Sequence, residues 1–181
     1  MVFQIQASSP CARRHCVAQE ENLREAIEDI FPQDTEDAFI NWNGSYFPLS
    51  YKYDWPVIIE DVQRMLGALI ESEDSKHTVN WPSNTFNATW NLSWSRGVLD
   101  CKADWVSVTG SIEEQLAQSG GIQITVSKFV AEWKQPLQRI TSALGRIGYR
   151  TASLPGLDHL QALVGQIEEA GQLYGEVDDY D

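Results

Sequence analysis

The chain has 181 residues, of which 43% are hydrophobic and 22% charged, and its formal net charge is −13. This is the composition of a globular protein long enough to bury a real core, and no window approaches the roughly 18 consecutive apolar residues of a membrane span. The acid excess disfavours nucleic acid and anionic membranes as partners and steers basic surfaces inward.

A single domain is expected over 1–181, with 1–19 and 174–181 disordered at its ends, because neither end shows a clear apolar period. Residues 20–31 read as a short acidic helix that turns Leu23, Ile27 and Ile30 or Phe31 inward and stops at Pro32. The stretch "AFINWNGSYFPLSY" then reads as a β-hairpin. Asn43-Gly44 is the strongest short turn signal, and it sets Ile40 opposite Phe47 and Ala38 opposite Leu49. Pro48 cannot donate to a ladder, which demotes its strand to a sheet edge.

Asp54 is expected to cap a helix over about 55–70, with Pro56 in its first turn. The apolar positions from Ile58 to Ile70 form one broad stripe, and Glu60 pairs with Arg64. "ESEDSKH" reads as a polar loop and Thr78–Trp81 as a strand. Over 86–94 the apolar residues alternate as Phe86, Ala88, Trp90, Leu92 and Trp94, and after Arg96-Gly97 as Leu99, Cys101, Ala103 and Trp105. This period of two marks a half-buried hairpin. If Arg96-Gly97 is its two-residue loop, Trp94 faces Leu99, Leu92 faces Cys101, Trp90 faces Ala103 and Ala88 faces Trp105, so that each large ring meets a small partner. The other face, with Asn87, Thr89, Asn91, Ser93, Asp100, Lys102 and Asp104, is wet. One or two helical turns at 111–119, a short strand through Ile122, Ile124 and Val126, and a long helix from Ser127 to Ile147 follow. Pro136 should kink or split that helix. A last short helix carries Leu157, Leu160, Val164 and Ile167.

The fold class is therefore α+β: an antiparallel sheet of Trp-rich hairpins with helices packed on one face. The helices at 54–72 and 127–147 need to bury their stripes, so Trp90, Trp94 and Trp105 are expected beneath them as core.

Chemistry is hard to find in this chain. Cys11, His15 and Cys16 lack the fourth ligand of a structural zinc site, and Cys101 falls on the core face, so no metal and no cofactor are expected. Three Cys without an apolar leader suggest reduced thiols in a cytoplasm. His15, His77 and His159 sit in no nucleophile context, and no phosphate-binding glycine motif occurs. Glu60-Asp61 and Glu113-Glu114 are neighbours whose side chains diverge by about 100° on a helix, so neither pair makes a two-carboxylate site. No enzyme is expected.

Charge carries more information. Residues 20–37 sum to −7 and 151–181 to −7, whereas 38–150 sum to −1 and 1–19 to +2. Segregated acid is how steering surfaces are built. The candidate partner-binding residues are Glu25, Glu28, Asp29, Asp34, Glu36 and Asp37, because a helix and the loop after it can preorganise them.

With its concentrated acid and Trp-rich hairpins "NWNGSYFPLSYKYDW" and "TWNLSWSRGVLDCKADW", the chain resembles the small, acidic, cytosolic immunity proteins of bacterial polymorphic-toxin and contact-dependent inhibition systems. The resemblance implies inhibition by direct binding of a cognate toxin, often a basic nuclease domain. It implies no nucleic acid, no membrane and no chemistry of the chain's own. The alternative is a carbohydrate or small-molecule binding module that uses exposed aromatics.

Overall fold

The computed structural model describes residues 1–13 and 22–175, with backbone alone for 168–175. In chain order the elements are β1 (Phe3–Gln6), α1 (Leu23–Ile30), β2 (Ala38–Trp42), β3 (Ser45–Leu49), α2 (Trp55–Glu71), β4 (Ser75–Pro82), β5 (Phe86–Ser95) and β6 (Val98–Val108), then α3 (Glu113–Ser119), β7 (Ile122–Thr125), α4 (Val126–Glu132), α5 (Lys134–Ile147) and α6 (Leu157–Gly175). The architecture is α+β. Two antiparallel sheets, ordered β1-β2-β3 and β4-β5-β6-β7, share one core with the helices.

Both hairpins fold in the expected register. Ile40 faces Phe47 and Ala38 faces Leu49; Trp94 faces Leu99, Leu92 faces Cys101, Trp90 faces Ala103 and Ala88 faces Trp105. Each turn has two positive φ angles, Asn43 (50°) with Gly44 (92°) and Arg96 (52°) with Gly97 (76°), the geometry that matches the twist of the flanking strands. The Arg96 backbone N–H donates to Asp74 Oδ1 at 3.1 Å, an acceptor outside the hairpin. A bulge opposite Asn87/Ala88 shifts the alternation by one residue. It leaves Val106 (68% exposed) and Ser107 both facing outward and brings Val108 inward. Pro48 lies on β3, an edge strand, as its missing N–H requires.

The cover over the tryptophans differs from expectation. Trp90 and Trp94 are buried, but Trp105 is only half-buried, and helices alone do not cover this face. The three-stranded sheet packs across it: Trp42 lies 5.1 Å from Trp90 and 5.3 Å from Trp105, and Phe47 lies 5.3 Å from Trp105. The reason lies in β1, within the segment expected to be disordered. Phe3 and Ile5 alternate with Gln4 and Gln6, and β1 pairs with β2 from Phe3↔Trp42 to Gln6↔Phe39. A third strand makes the first hairpin a sheet wide enough to bury one face.

The helix over 127–147 is split. α4 ends at Glu132 and α5 begins at Lys134, with Pro136 in the first turn of α5, where its absent N–H costs nothing. α4 and the Trp133 that joins it to α5 reach the aromatic layer, through Phe129 stacked on Phe3 at 4.5 Å and Trp133 against Trp55 and Trp81; α5 packs on α1 and α6 instead. Trp94 does lie under the end of α2, and its indole N–H donates to Ser72 O at 2.8 Å.

Smaller differences follow from tertiary pairing. β4 starts at Ser75, so part of "ESEDSKH" is strand. Val126 opens α4 rather than closing β7. Arg64 pairs with Asp61, not Glu60. α6 runs to Gly175 and takes in two residues expected to be disordered; 176–181 and 14–19 lie outside the described residues. No helix among those described is long and apolar enough to cross a membrane.

Candidate functional site: an acidic helix beside a basic groove

α1 starts where Asn22 accepts the Glu25 N–H, and it buries Leu23, Ala26, Ile27 and Ile30 against the core. That spacing of three and four leaves one outward face. Glu25 and Glu28 stand exposed there and Asp29 half-exposed; on the loop beyond Phe31, Asp34 and Glu36 are exposed and Asp37 half-exposed. The six predicted acids therefore lie at exposed or half-exposed positions of α1 and the loop after it. Asp29 is bridged by Arg13 at 2.9 Å, and Glu36 accepts the Ser9 N–H at 3.3 Å. Glu28, Asp34 and Asp37 have no side-chain hydrogen bond or ion pair among the described residues. The acids Glu20, Glu21 and 176–181 lie outside those residues, as do His15 and Cys16.

Beside α1 lies a basic groove that the charge sums over 38–150 conceal. From 133 to 157 the chain has Lys134, Arg139, Arg146 and Arg150 and no acid. Scanning charge in shorter windows reveals it. α5 buries Leu137, Ile140, Ala143 and Leu144 and turns Gln135, Arg139, Ser142 and Arg146 to solvent. With Ser9 and Pro10 opposite, these residues line an open cleft of ≈ 660 Å³. Arg146 also borders a smaller hollow with Ala12 and Arg13.

One carboxylate is buried outright. Asp54 has no exposed surface, and it does not cap α2 through its side chain. Instead Oδ1 accepts from Ser83 Oγ–H (2.7 Å), Asn84 N–H (2.8 Å) and Thr85 N–H (3.0 Å), and Oδ2 from Ser50 N–H (2.6 Å) and Thr85 Oγ–H (2.6 Å). A carboxylate offers about four lone-pair positions, so none is left to act as a base. Asp54 is a latch between β3, α2 and the β4–β5 turn.

Other reactive groups are similarly committed. Burial pushes the Cys101 thiol far above its ordinary range, which keeps it protonated and unreactive. Burial raises Glu132 as well, opposed by the Ile5 N–H that it accepts at 2.8 Å on the outer edge of β1. Glu113 accepts the Val108 N–H at 2.6 Å, which lowers its value. Among the described residues no three His, Cys, Asp or Glu side chains could together hold a metal ion. On the wet face of the larger sheet, Thr78 bonds Asn91, Thr89 bonds Asn80 and Gln123 bonds Asp100, so much of its polarity is satisfied within the sheet. The exposed aromatics among the described residues sit elsewhere: Phe39 (43%) and Tyr46 (56%) are on the outer face of the smaller sheet, and Tyr53 (44%) lies between β3 and α2.

Family models, curated proteins and solved structures contain no match to this chain.

Proposed function

We propose that the protein works by binding rather than by chemistry, as an inhibitor that neutralises a basic partner protein, and that it is an immunity protein directed at a bacterial toxin domain in the cytoplasm. The observation that carries this reading is the surface of α1 and its following loop. Glu25, Glu28 and Asp29 face outward from a helix fixed by its buried apolar stripe, and Asp34, Glu36 and Asp37 are exposed or half-exposed on the loop that follows it. Charges held on a rigid element lose little entropy on docking. They raise encounter rates with a basic surface and orient it.

The adjoining gene's product is the partner to test, by two measurements. Expression of this chain should protect cells from that product, and the purified pair should associate faster at low salt. Lysine at Glu28, Asp34 and Asp37 together should slow association about tenfold or more and flatten its salt dependence. Wild-type association rates for this variant at low salt would remove α1 as the docking surface; failure of the wild type to protect would remove the immunity role.

A further inference from the structure

The structure assigns a second binding site, adjoining the acidic surface: we propose that the groove between α5 and residues 9–13 binds an extended acidic peptide segment of a partner protein, with Arg139 and Arg146 pairing its carboxylates.

Among the described residues Arg13, Arg139 and Arg146 line this groove and the hollow beside it, and of these Arg13 is held in an ion pair. Arg13 is bridged to Asp29 at 2.9 Å; Arg139 and Arg146 are exposed and form no ion pair among the described residues. Arg146 in the last turn of α5 suits the helix dipole, but Arg139 lies mid-helix, where the dipole gives it no such role. A guanidinium fork matches a carboxylate in two parallel hydrogen bonds.

The geometry selects an elongated ligand. Arg139 and Arg146 are seven residues apart, so their Cα atoms rise about 10.5 Å along the axis. An extended chain advances about 6.6 Å between alternate side chains and about 13 Å between every fourth. Long arginine arms span that difference. Between and beside the arginines stand Ser142 and Gln135, whose hydroxyl and amide can bond peptide N–H and C=O groups. Among the described residues no aromatic ring lines the cleft, which disfavours a nucleobase or sugar that would stack.

The opposite wall is fixed before any ligand arrives. Glu36 accepts from Ser8 Oγ–H and Ser9 N–H, the Arg13 N–H donates to Ile30 O at 2.9 Å, and Thr35 Oγ–H donates to Cys11 O at 3.3 Å. A preformed groove spares the ligand the cost of ordering it. The net charge of −13 does not forbid an anionic guest: distant charges are screened within about 8 Å at physiological salt, and of the acids at the wall Asp29 is paired with Arg13 and Glu36 accepts the Ser9 N–H.

The probe is a fluorescein-labelled Gly-Glu-Ser-Glu-Ser-Glu-Gly peptide, followed by anisotropy with the full chain. Wild type should bind it at least about tenfold more tightly than the same peptide with Gln for Glu, and R139E/R146E should lose about tenfold or more, each factor of ten being about 1.4 kcal/mol. A circular dichroism melt of R139E/R146E at the wild-type temperature secures the reading, and R139Q, which removes one charge only, should fall between. Equal binding of the two peptides, or undiminished binding by R139E/R146E, would overturn the proposal. So would tripolyphosphate displacing the probe at lower concentration than unlabelled peptide, because the site would then favour a compact polyanion. None of these outcomes depends on the fate of the acidic surface.

Discussion

Asp54 and the acids of α1 have the same chemistry in opposite settings. Asp54 has no exposed surface and five hydrogen-bond donors around it; Glu28 and Asp34 are exposed and have no side-chain partner among the described residues. A buried charge must be compensated or the fold does not form, so Asp54 belongs to stability. Exposed, uncompensated charge contributes little to folding and stays available for recognition. Partner count and burial thus separate structural acid from functional acid, and the separation predicts a graded series of effects.

The largest effect is expected at Asp54. Asp54→Ala orphans the hydroxyl of Ser83 and the N–H groups of Ser50, Asn84 and Thr85 at once, and should cost about 3–5 kcal/mol in urea melts. A loss under about 1 kcal/mol would mean that the latch is redundant, and burial would no longer mark structural acid here.

The contrast was only partly readable from residues. Both hairpin registers were legible, because alternation over Phe86–Trp94 and a two-residue turn are local signals that specify every pairing. β1 was not, since Phe3 and Ile5 alone make too short a pattern and are held by β2 some 36 residues away (Phe3↔Trp42 and Ile5↔Ile40 being separated by 39 and 35). Asp54 looked like a helix cap because a cap needs only its own neighbours, whereas its donors Ser83, Asn84 and Thr85 lie 29 to 31 residues away. The acidic surface was legible as a local charge run. The groove was hidden by summing charge over a stretch in which the acids of the strands and α2 cancel the bases of α5.

Glu132 sits between the extremes, half-buried with one donor, the Ile5 N–H at 2.8 Å. Burial raises its value from the ordinary one, because folding costs the ionised form more hydration than the protonated form. Over the window from that raised value down to the ordinary range, the folded chain binds more proton than the unfolded one. Stability from this group therefore rises as pH falls and levels off once the unfolded carboxylate is protonated too. Gln accepts the same N–H without titrating. The stability of wild type minus E132Q should increase on acidification through that window, a difference in which the acid repulsion common to both chains cancels. A difference that is flat or falls would place Glu132 with the structural acids.

The smallest effect is expected where the functional surface is proposed. Lysine at Glu28, Asp34 and Asp37 together should move the urea midpoint by less than about 1 kcal/mol. The direction can even be upward, because three reversals change the charge by +6 in a chain at −13 and reduce its self-repulsion. Lys52 does not oppose this: its ammonium donates to the backbone carbonyl of Glu28, not to the side chain. Unchanged stability alongside slowed partner association would show that these acids are kept for recognition. If the triple variant instead lost more than about 2 kcal/mol, the acids of α1 and its loop would be holding the fold as Asp54 does, and their exposure would have to be explained without a partner.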